Sequence, residues 1–145
     1  MTASPSTIES GISAERPGWW RPGLIGLGLA ALWLYGWNIW NGARSEYYAA
    51  IAMSMSKSWS NFWFGALDPA GTISLDKIPG SYWPQALAVK LFGFSTWALI
   101  LPNALATAAT AVVVAKAARH FLAPRSALLA GAAFAVTPIV AAVAR

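Results

Sequence analysis

Residues 96–115, TWALILPNALATAATAVVVA, contain no charged side chain and are followed at once by Lys116 and Arg119. At 1.5 Å per residue, about 20 residues of helix cover the ~30 Å hydrocarbon core of a bilayer. Pro102 lies within this run, and a proline is tolerated in a spanning helix because neighbouring groups satisfy the freed carbonyl. The stretch therefore predicts a membrane-spanning helix, and it sets the class of the fold.

Two further stretches are apolar and uncharged over a similar length. Residues 24–40 follow a basic and aromatic cluster, RPGWWRPG at residues 16–23, which is typical of a membrane boundary. Residues 126–144 are interrupted only by a Thr-Pro step. We predict an all-α integral membrane protein with three transmembrane helices at about 24–40, 96–115 and 126–144.

The composition agrees with a membrane protein. Hydrophobic residues make up 57% of the chain and charged residues 10%, whereas a soluble domain carries about 25% charged residues. The absence of cysteine excludes disulfides, thiolate metal sites and cysteine nucleophiles, and the single histidine, His120, cannot form a histidine metal centre. The net charge of +5 comes from Lys and Arg residues scattered singly, so we expect no nucleic-acid partner.

The distribution of basic residues predicts the orientation. The short connection between the second and third predicted spans holds Lys116, Arg119 and Arg125, which places it in the cytoplasm. Residues 1–22 are then a disordered cytoplasmic tail, and residues 42–94 form an extracytoplasmic loop. We expect a multi-pass protein of the cell (plasma) membrane with a cytoplasmic N-terminus.

The outer loop has the pattern of interfacial helices. After Ser45, apolar and aromatic residues recur at steps of three and four, which predicts one helix face: Tyr48, Ala52, Met55, Trp59 and Phe62. A turn sequence follows at residues 68–71. A second short helix is predicted from about Tyr82 to Phe92, because Pro84 suits a first turn and Gly93 a helix end.

The loop also carries a family resemblance. Residues 76–93, DKIPGSYWPQALAVKLFG, resemble a signature of the multi-spanning GT-C membrane glycosyltransferases, which are similar to protein O-mannosyltransferases and lipid A aminoarabinose transferases. The similarity covers roughly residues 36–145. Ile78 stands where the family has the first proline of an Asp-Lys-Pro-Pro run, and Ser45-Glu46 stands where many relatives have Asp-Glu. Relatives are much longer, so residues 23–145 are interpreted as the N-terminal part of such a domain only.

The resemblance implies a function and a set of site residues. Such an enzyme moves a sugar (hexose or pentose) from a polyprenyl-phosphate donor to an extracytoplasmic acceptor, which requires a base for the acceptor and a cation for the leaving phosphate. The expected partners are membrane lipid, the donor, and the remaining spans or a partner subunit. No cofactor or metal ligand is predicted, although some relatives use a divalent metal. The predicted catalytic residues are Glu46 and Asp76, and the predicted substrate-binding residues are Lys77, Tyr82, Trp83 and Asp68.

Each of these residues also has a structural interpretation. Glu46 is placed to stabilise a helix N-terminus, and Asp68 precedes a proline in a turn sequence. Tyr82 and Trp83 suit an interfacial aromatic belt equally well. The alternative for the whole chain is a truncated, catalytically inactive membrane scaffold or subunit.

Overall fold

The computed structural model describes residues 17–42 and 45–144, and over that part of the chain it is all-helical. The predicted all-α class is confirmed. Most of the predicted tail, residues 1–16, lies outside the described residues. Short 3-10 helices cover Ile39–Asn41 and Pro79–Ser81. The α-helices are α1 (Trp20–Gly36), α2 (Glu46–Lys57), α3 (Trp59–Phe64), α4 (Trp83–Phe92), α5 (Thr96–Ala118), α6 (Pro124–Ala135) and α7 (Pro138–Ala144).

Helix α5 confirms the helix predicted over residues 96–115 and continues through Lys116 to Ala118. It contains Pro102 without a break. Among the described helices it is the one that is long and apolar enough to cross a bilayer, judged by length and composition alone. The predicted number of three spans is therefore not confirmed and stays a prediction.

Helix α1 differs from the prediction at both ends. It begins at Trp20, inside the range predicted as a tail, because Pro22 falls in the first turn, where its missing N–H costs nothing. It ends at Gly36 instead of residue 40. Asn38 adopts the left-handed conformation with φ of 56°, which asparagine tolerates better than most residues, and this turns the chain before Ile39.

The third predicted helix, residues 126–144, is wrong as a single element, because α6 and α7 are separated at Val136 and Thr137. Pro138 disfavours helical geometry in the residue before it. The Thr137 amide accordingly donates to the Phe134 carbonyl at 3.2 Å, one residue short of the α-helical partner. The Ala133 carbonyl would be the α-helical acceptor of the Thr137 amide. It accepts instead from the Thr137 hydroxyl at 2.8 Å.

The described residues form two compact units. The first comprises residues 17–35 and 106–143, and in it Trp20 and Leu24 of α1 pack on Ala115 of α5 and Ala127 of α6. Helix α6 buries Ala127, Gly131 and Ala135, which recur at every fourth position and form one stripe. The Tyr35 hydroxyl donates to the Ala135 carbonyl at 2.9 Å. Close approach of helices over small residues is the usual packing of membrane helices.

The second unit comprises residues 36–105 and is built on α2 and α4. Two hydrophobic clusters join these helices, one around Ala52 and Val89 and one around Met55 and Ala86. Helix α4, Trp83–Phe92, confirms the second predicted loop helix, and Gly93 follows it with φ of 82°.

The single face predicted from Tyr48 to Phe62 is corrected, because the chain breaks at Ser58 between α2 and α3. The Ser58 hydroxyl accepts from the Asn61 amide at 3.0 Å and so caps α3. Three members of the predicted face are buried, namely Ala52, Met55 and Phe62. Trp59, directly after the break, is 58% exposed, and Tyr48, in the first turn of α2, is 42% exposed.

The segment between α3 and α4 folds back on itself. Gly65 has φ of 63° and ends α3, and its carbonyl accepts from the Leu75 amide at 2.7 Å. The Leu67 amide donates to the Ile73 carbonyl at 2.8 Å. The buried Asn61 side chain donates to the Pro69 carbonyl at 3.0 Å. These bonds fix the turn and lead the chain back to the first turn of α2.

Candidate functional site

The first turn of α2 meets the Asp76-Lys77 pair. The Tyr47 hydroxyl donates to Asp76 Oδ1 at 3.1 Å. Lys77 Nζ donates to the Tyr48 hydroxyl at 2.9 Å and lies 5.0 Å from the centroid of the same ring. Two adjacent tyrosines thus hold an adjacent carboxylate and ammonium group, and all four residues are exposed.

Tyr82 completes this group. Its ring stacks on Tyr48 with centroids 5.7 Å apart, and the Tyr48 ring meets Tyr47 edge-on at 5.4 Å. We call Tyr47, Tyr48, Asp76, Lys77 and Tyr82 the tyrosine cluster. The structure therefore brings together three residues that the sequence singled out, namely Asp76, Lys77 and Tyr82.

Three members of the cluster, Tyr47, Lys77 and Tyr82, have a raised pKa. The hydrogen bond to the Tyr48 hydroxyl raises the pKa of Lys77, so the ammonium stays charged at neutral pH. Partial desolvation, reinforced by the bond to Asp76, raises the pKa of Tyr47. Desolvation also raises the pKa of Tyr82. The two tyrosines therefore keep their protons, and Tyr47 remains a donor to the Asp76 carboxylate.

Glu46 is the first residue of α2 and is exposed. It precedes Tyr47 in the chain, and a carboxylate in a first helical turn is favoured by the helix dipole. The preceding residue, Ser45, makes no side-chain capping bond. The predicted role of Glu46 in catalysis stays a prediction.

Trp83 has a different environment from its neighbour Tyr82. Its indole N–H donates to the Phe62 carbonyl at 2.9 Å, and its ring stacks on Phe62 with centroids 5.8 Å apart. Trp63 meets the same ring edge-on at 5.1 Å. These contacts attach α4 to α3. A role of Trp83 in substrate binding stays a prediction.

Comparison with known proteins shows similarity to mannosyltransferases. The family described as dolichyl-phosphate-mannose-protein mannosyltransferase matches residues 76–145, so the match begins at Asp76. "Putative mannosyltransferase YycA" of Bacillus subtilis (strain 168) is 34% identical over 123 residues, which are 84% of this chain and 18% of that protein. "Putative mannosyltransferase YkcB" of the same organism is 36% identical over 118 residues, or 81% of this chain and 16% of that protein.

The resemblance to the GT-C membrane glycosyltransferases is confirmed. The chain spans less than a fifth of the length of these two curated relatives. No solved structure matches it. Together with the apolar helix α5, the family match indicates a membrane protein, whereas the number of spans and their orientation stay predictions.

Asp68, which precedes the part matched by the GT-C family, forms a turn. Its Oδ1 accepts from the amides of Thr72 at 2.9 Å and Ile73 at 2.7 Å, and its Oδ2 accepts from the Thr72 hydroxyl at 2.9 Å. The bond from the Ile73 amide, together with those from Thr72, lowers the pKa of Asp68. This arrangement favours the structural interpretation of Asp68, and its role in substrate binding stays a prediction.

The Asp68 turn predicts a pH-dependent effect on stability. A carboxyl group whose pKa is lowered in the folded state stabilises the fold above its unfolded pKa, and the contribution is lost as pH falls through the folded pKa. We expect Asp68→Asn to lower the melting temperature at pH 7, with a difference from the wild type that closes as pH falls below about 4. Thermal unfolding in detergent between pH 3 and pH 8 measures this. A difference that stays constant over that range would contradict it.

The absence of a metal ligand stays a prediction. Within residues 17–42 and 45–144, no group of three or more His, Asp or Glu side chains could hold a metal ion. Both oxygens of Asp68 are already occupied by hydrogen bonds within its own turn.

Sequence reasoning missed the part played by Tyr47 and Tyr48. The three-and-four spacing assigned Tyr48 to the apolar face of a helix, whereas it is exposed and binds Lys77. The available signal was local: two tyrosines follow Glu46 at a helix start, and they lie within the stretch that resembles the GT-C family. Only the fold of residues 65–77 shows which residues they meet.

Proposed function

We propose that this chain is the N-terminal part of a membrane glycosyltransferase that moves a sugar from a polyprenyl-phosphate donor to an acceptor outside the cytoplasm. One observation carries the proposal: Asp76 and Lys77, where the family match begins, are both held by tyrosines of α2. A carboxylate and a cation side by side supply the two charges that glycosyl transfer from a phosphate requires.

The chemistry assigns one role to each charge. Asp76 accepts the proton of the acceptor hydroxyl group as the acceptor oxygen forms a bond to the anomeric carbon of the sugar. The bond between that carbon and the phosphate oxygen breaks, and the polyprenyl phosphate leaves with the bonding pair. Lys77 lies beside Asp76 and offsets the negative charge that develops on the leaving phosphate.

Tyr47 and Tyr48 each bind one of these two charged groups. Tyr47 donates to Asp76, and Tyr48 accepts from Lys77, so the carboxylate and the ammonium are each bound to a hydroxyl. Tyr82, stacked on Tyr48, offers a ring against which a sugar can lie. Glu46, at the start of the same helix, is the second carboxylate that we assign to the acceptor side.

The donor class can be tested directly with membranes that contain the full-length protein. We expect label to pass to acceptor from a polyprenyl-phosphate hexose or pentose and not from the corresponding nucleotide sugar. Membranes from cells without the protein provide the background. Transfer from the nucleotide sugar alone would contradict the proposal, and transfer from neither would favour the inactive scaffold.

Lys77→Met is expected to lower the rate of transfer about tenfold, because a charged hydrogen-bond donor near the leaving phosphate is lost. Because the pKa of Lys77 is raised, its ammonium group is fully charged below the ordinary lysine pKa. It would lose that charge, and its effect on the rate of transfer, only as the pH rises through the raised pKa. The rate deficit of the variant should therefore be the same at pH 6 and pH 8.

Lys57→Met is the matched control, since Lys57 is an exposed lysine at the other end of α2 and outside the tyrosine cluster. It should transfer sugar at the wild-type rate. Equal losses in the two variants would show that general surface charge, and not Lys77 itself, supports the reaction.

A further inference from the structure

A groove of about 750 Å³ runs along α1 and the second half of α5, within the unit formed by residues 17–35 and 106–143. Its walls are mostly apolar and include Leu24, Leu32 and Val112. Two basic residues, Arg21 and Lys116, also line it. The groove is thus a long apolar surface that carries two positive charges, and it shares no residue with the tyrosine cluster.

The two charges lie at the same end of the groove. Trp20 and Leu24 share one hydrophobic cluster with Ala115, so the first turn of α1 lies beside the last turn of α5. Arg21 and Lys116 are the chain neighbours of Trp20 and Ala115. The described residues of this unit include no Asp or Glu, so a negative charge to match them must come from another molecule or from outside those residues.

The length of the groove corresponds to one leaflet of a bilayer. Leu32 lies about three helical turns beyond Arg21, which is ~16 Å along the axis of α1. Half of the ~30 Å hydrocarbon core is about the same distance. An acyl chain whose headgroup lies at Arg21 would therefore pass Leu24 and end near Leu32, at the middle of the membrane.

We propose that this groove binds an anionic phospholipid, with its phosphate at Arg21 and Lys116 and one acyl chain against α1 and α5. Basic pockets between helices at a membrane surface bind anionic lipid headgroups, because the positive charges are close to the plane of the phosphates. Arginine suits the phosphate particularly well, since its planar group donates two parallel hydrogen bonds. This inference does not depend on which sugar is transferred, or on whether any sugar is.

Native mass spectrometry of the full-length protein in detergent tests the proposal, with phosphatidylglycerol and phosphatidylcholine of identical acyl chains. We expect phosphatidylglycerol to bind more tightly. The double variant Arg21→Gln/Lys116→Gln should lower that preference by about five-fold per charge, since one basic residue near an anionic headgroup contributes about 1 kcal/mol. Inorganic phosphate should not compete, because it lacks the acyl chain.

Two further variants distinguish the groove from general surface charge. Arg125→Gln removes an exposed cation of α6 that does not line the groove, and it should leave the lipid preference unchanged. Ala109→Phe places a ring in the groove at an exposed position, and it should weaken phosphatidylglycerol binding with both cations intact. Equal binding of the two lipids, equal losses in Arg125→Gln and the double variant, or unchanged binding in Ala109→Phe would each overturn the proposal.

Discussion

Replacing Asp76 with Asn lowers the rate of sugar transfer by about 10²- to 10⁴-fold, the range that a general base contributes. Asparagine has nearly the same shape, and its side-chain oxygen can still accept the hydrogen bond from Tyr47. It cannot take a proton from the acceptor hydroxyl. Initial rates with a labelled polyprenyl-phosphate donor, measured on the full-length protein, give the loss directly.

Glu46→Gln is the partner experiment, because it removes the other exposed carboxylate between α1 and α5 and leaves a side chain of nearly the same shape. We expect a smaller loss than for Asp76→Asn, since Asp76 is the carboxylate that lies beside Lys77. A large loss in Glu46→Gln alone would make Glu46 the base. Undiminished transfer in both variants would contradict both assignments.

Tyr47→Phe tests how Asp76 is held. Loss of the hydroxyl frees the carboxylate to move, so we expect kcat to fall by a part of the Asp76→Asn loss while KM for the donor stays the same. A merely structural tyrosine would lower the melting temperature and leave kcat of the folded protein as it was. The Asp76→Asn melting temperature should equal that of the wild type, because Asp76 is exposed.

The elements that sequence predicts well are those whose signals are local. Helix α5 follows from a long uncharged run that stops at basic residues, and α4 follows from Pro84 near its start and Gly93 at its end. The all-α class follows from the composition and these runs. None of these predictions requires knowledge of what each helix contacts.

The errors arise where one residue outweighs a regular pattern. The hydrophobic period of the sequence continues through Ser58, but the Ser58 hydroxyl caps a new helix there. Trp59, the first residue of that helix, is consequently exposed. Asn38 ends α1 through its own backbone conformation, although the apolar run continues to Trp40. Thr137-Pro138 divides the third predicted helix in the same way.

The candidate site was only half predictable, because it depends on contacts between distant parts of the chain. The family resemblance pointed to Asp76 and Lys77, and the structure places both against α2, 29 positions earlier in the chain. Periodicity carries no information about such a contact. The turn at Asp68 and the bonds of Asn61 bring the segment back, and these are polar contacts that a hydrophobic pattern does not report.

Gly131→Ala should destabilise the unit formed by residues 17–35 and 106–143 by about 1–3 kcal/mol, the cost of adding a methyl group to a packed interior. A Cβ at Gly131 would lie 2.6 Å from the Ala111 carbonyl oxygen and 2.9 Å from Ala115 Cβ. The backbone oxygen cannot rotate away, so α6 itself has to move. That movement would also strain the bond from the Tyr35 hydroxyl to the Ala135 carbonyl on the same helix.

Gly26→Ala is the matched control for this stability prediction, because a Cβ at Gly26 on α1 meets no other atom within 4 Å. Alanine is the better helix former, so this variant should be as stable as the wild type or more stable by about 0.5–1 kcal/mol. Unfolding of the full-length protein in mixed micelles measures both free energies.

If both variants unfold like the wild type, α6 does not pack on α5 through Gly131. If both are destabilised alike, the loss comes from the substitution of any helical glycine and not from this contact. A lower stability of Gly131→Ala together with a higher stability of Gly26→Ala would show that α6 requires a small residue at position 131, because its backbone packs against the backbone of α5 there.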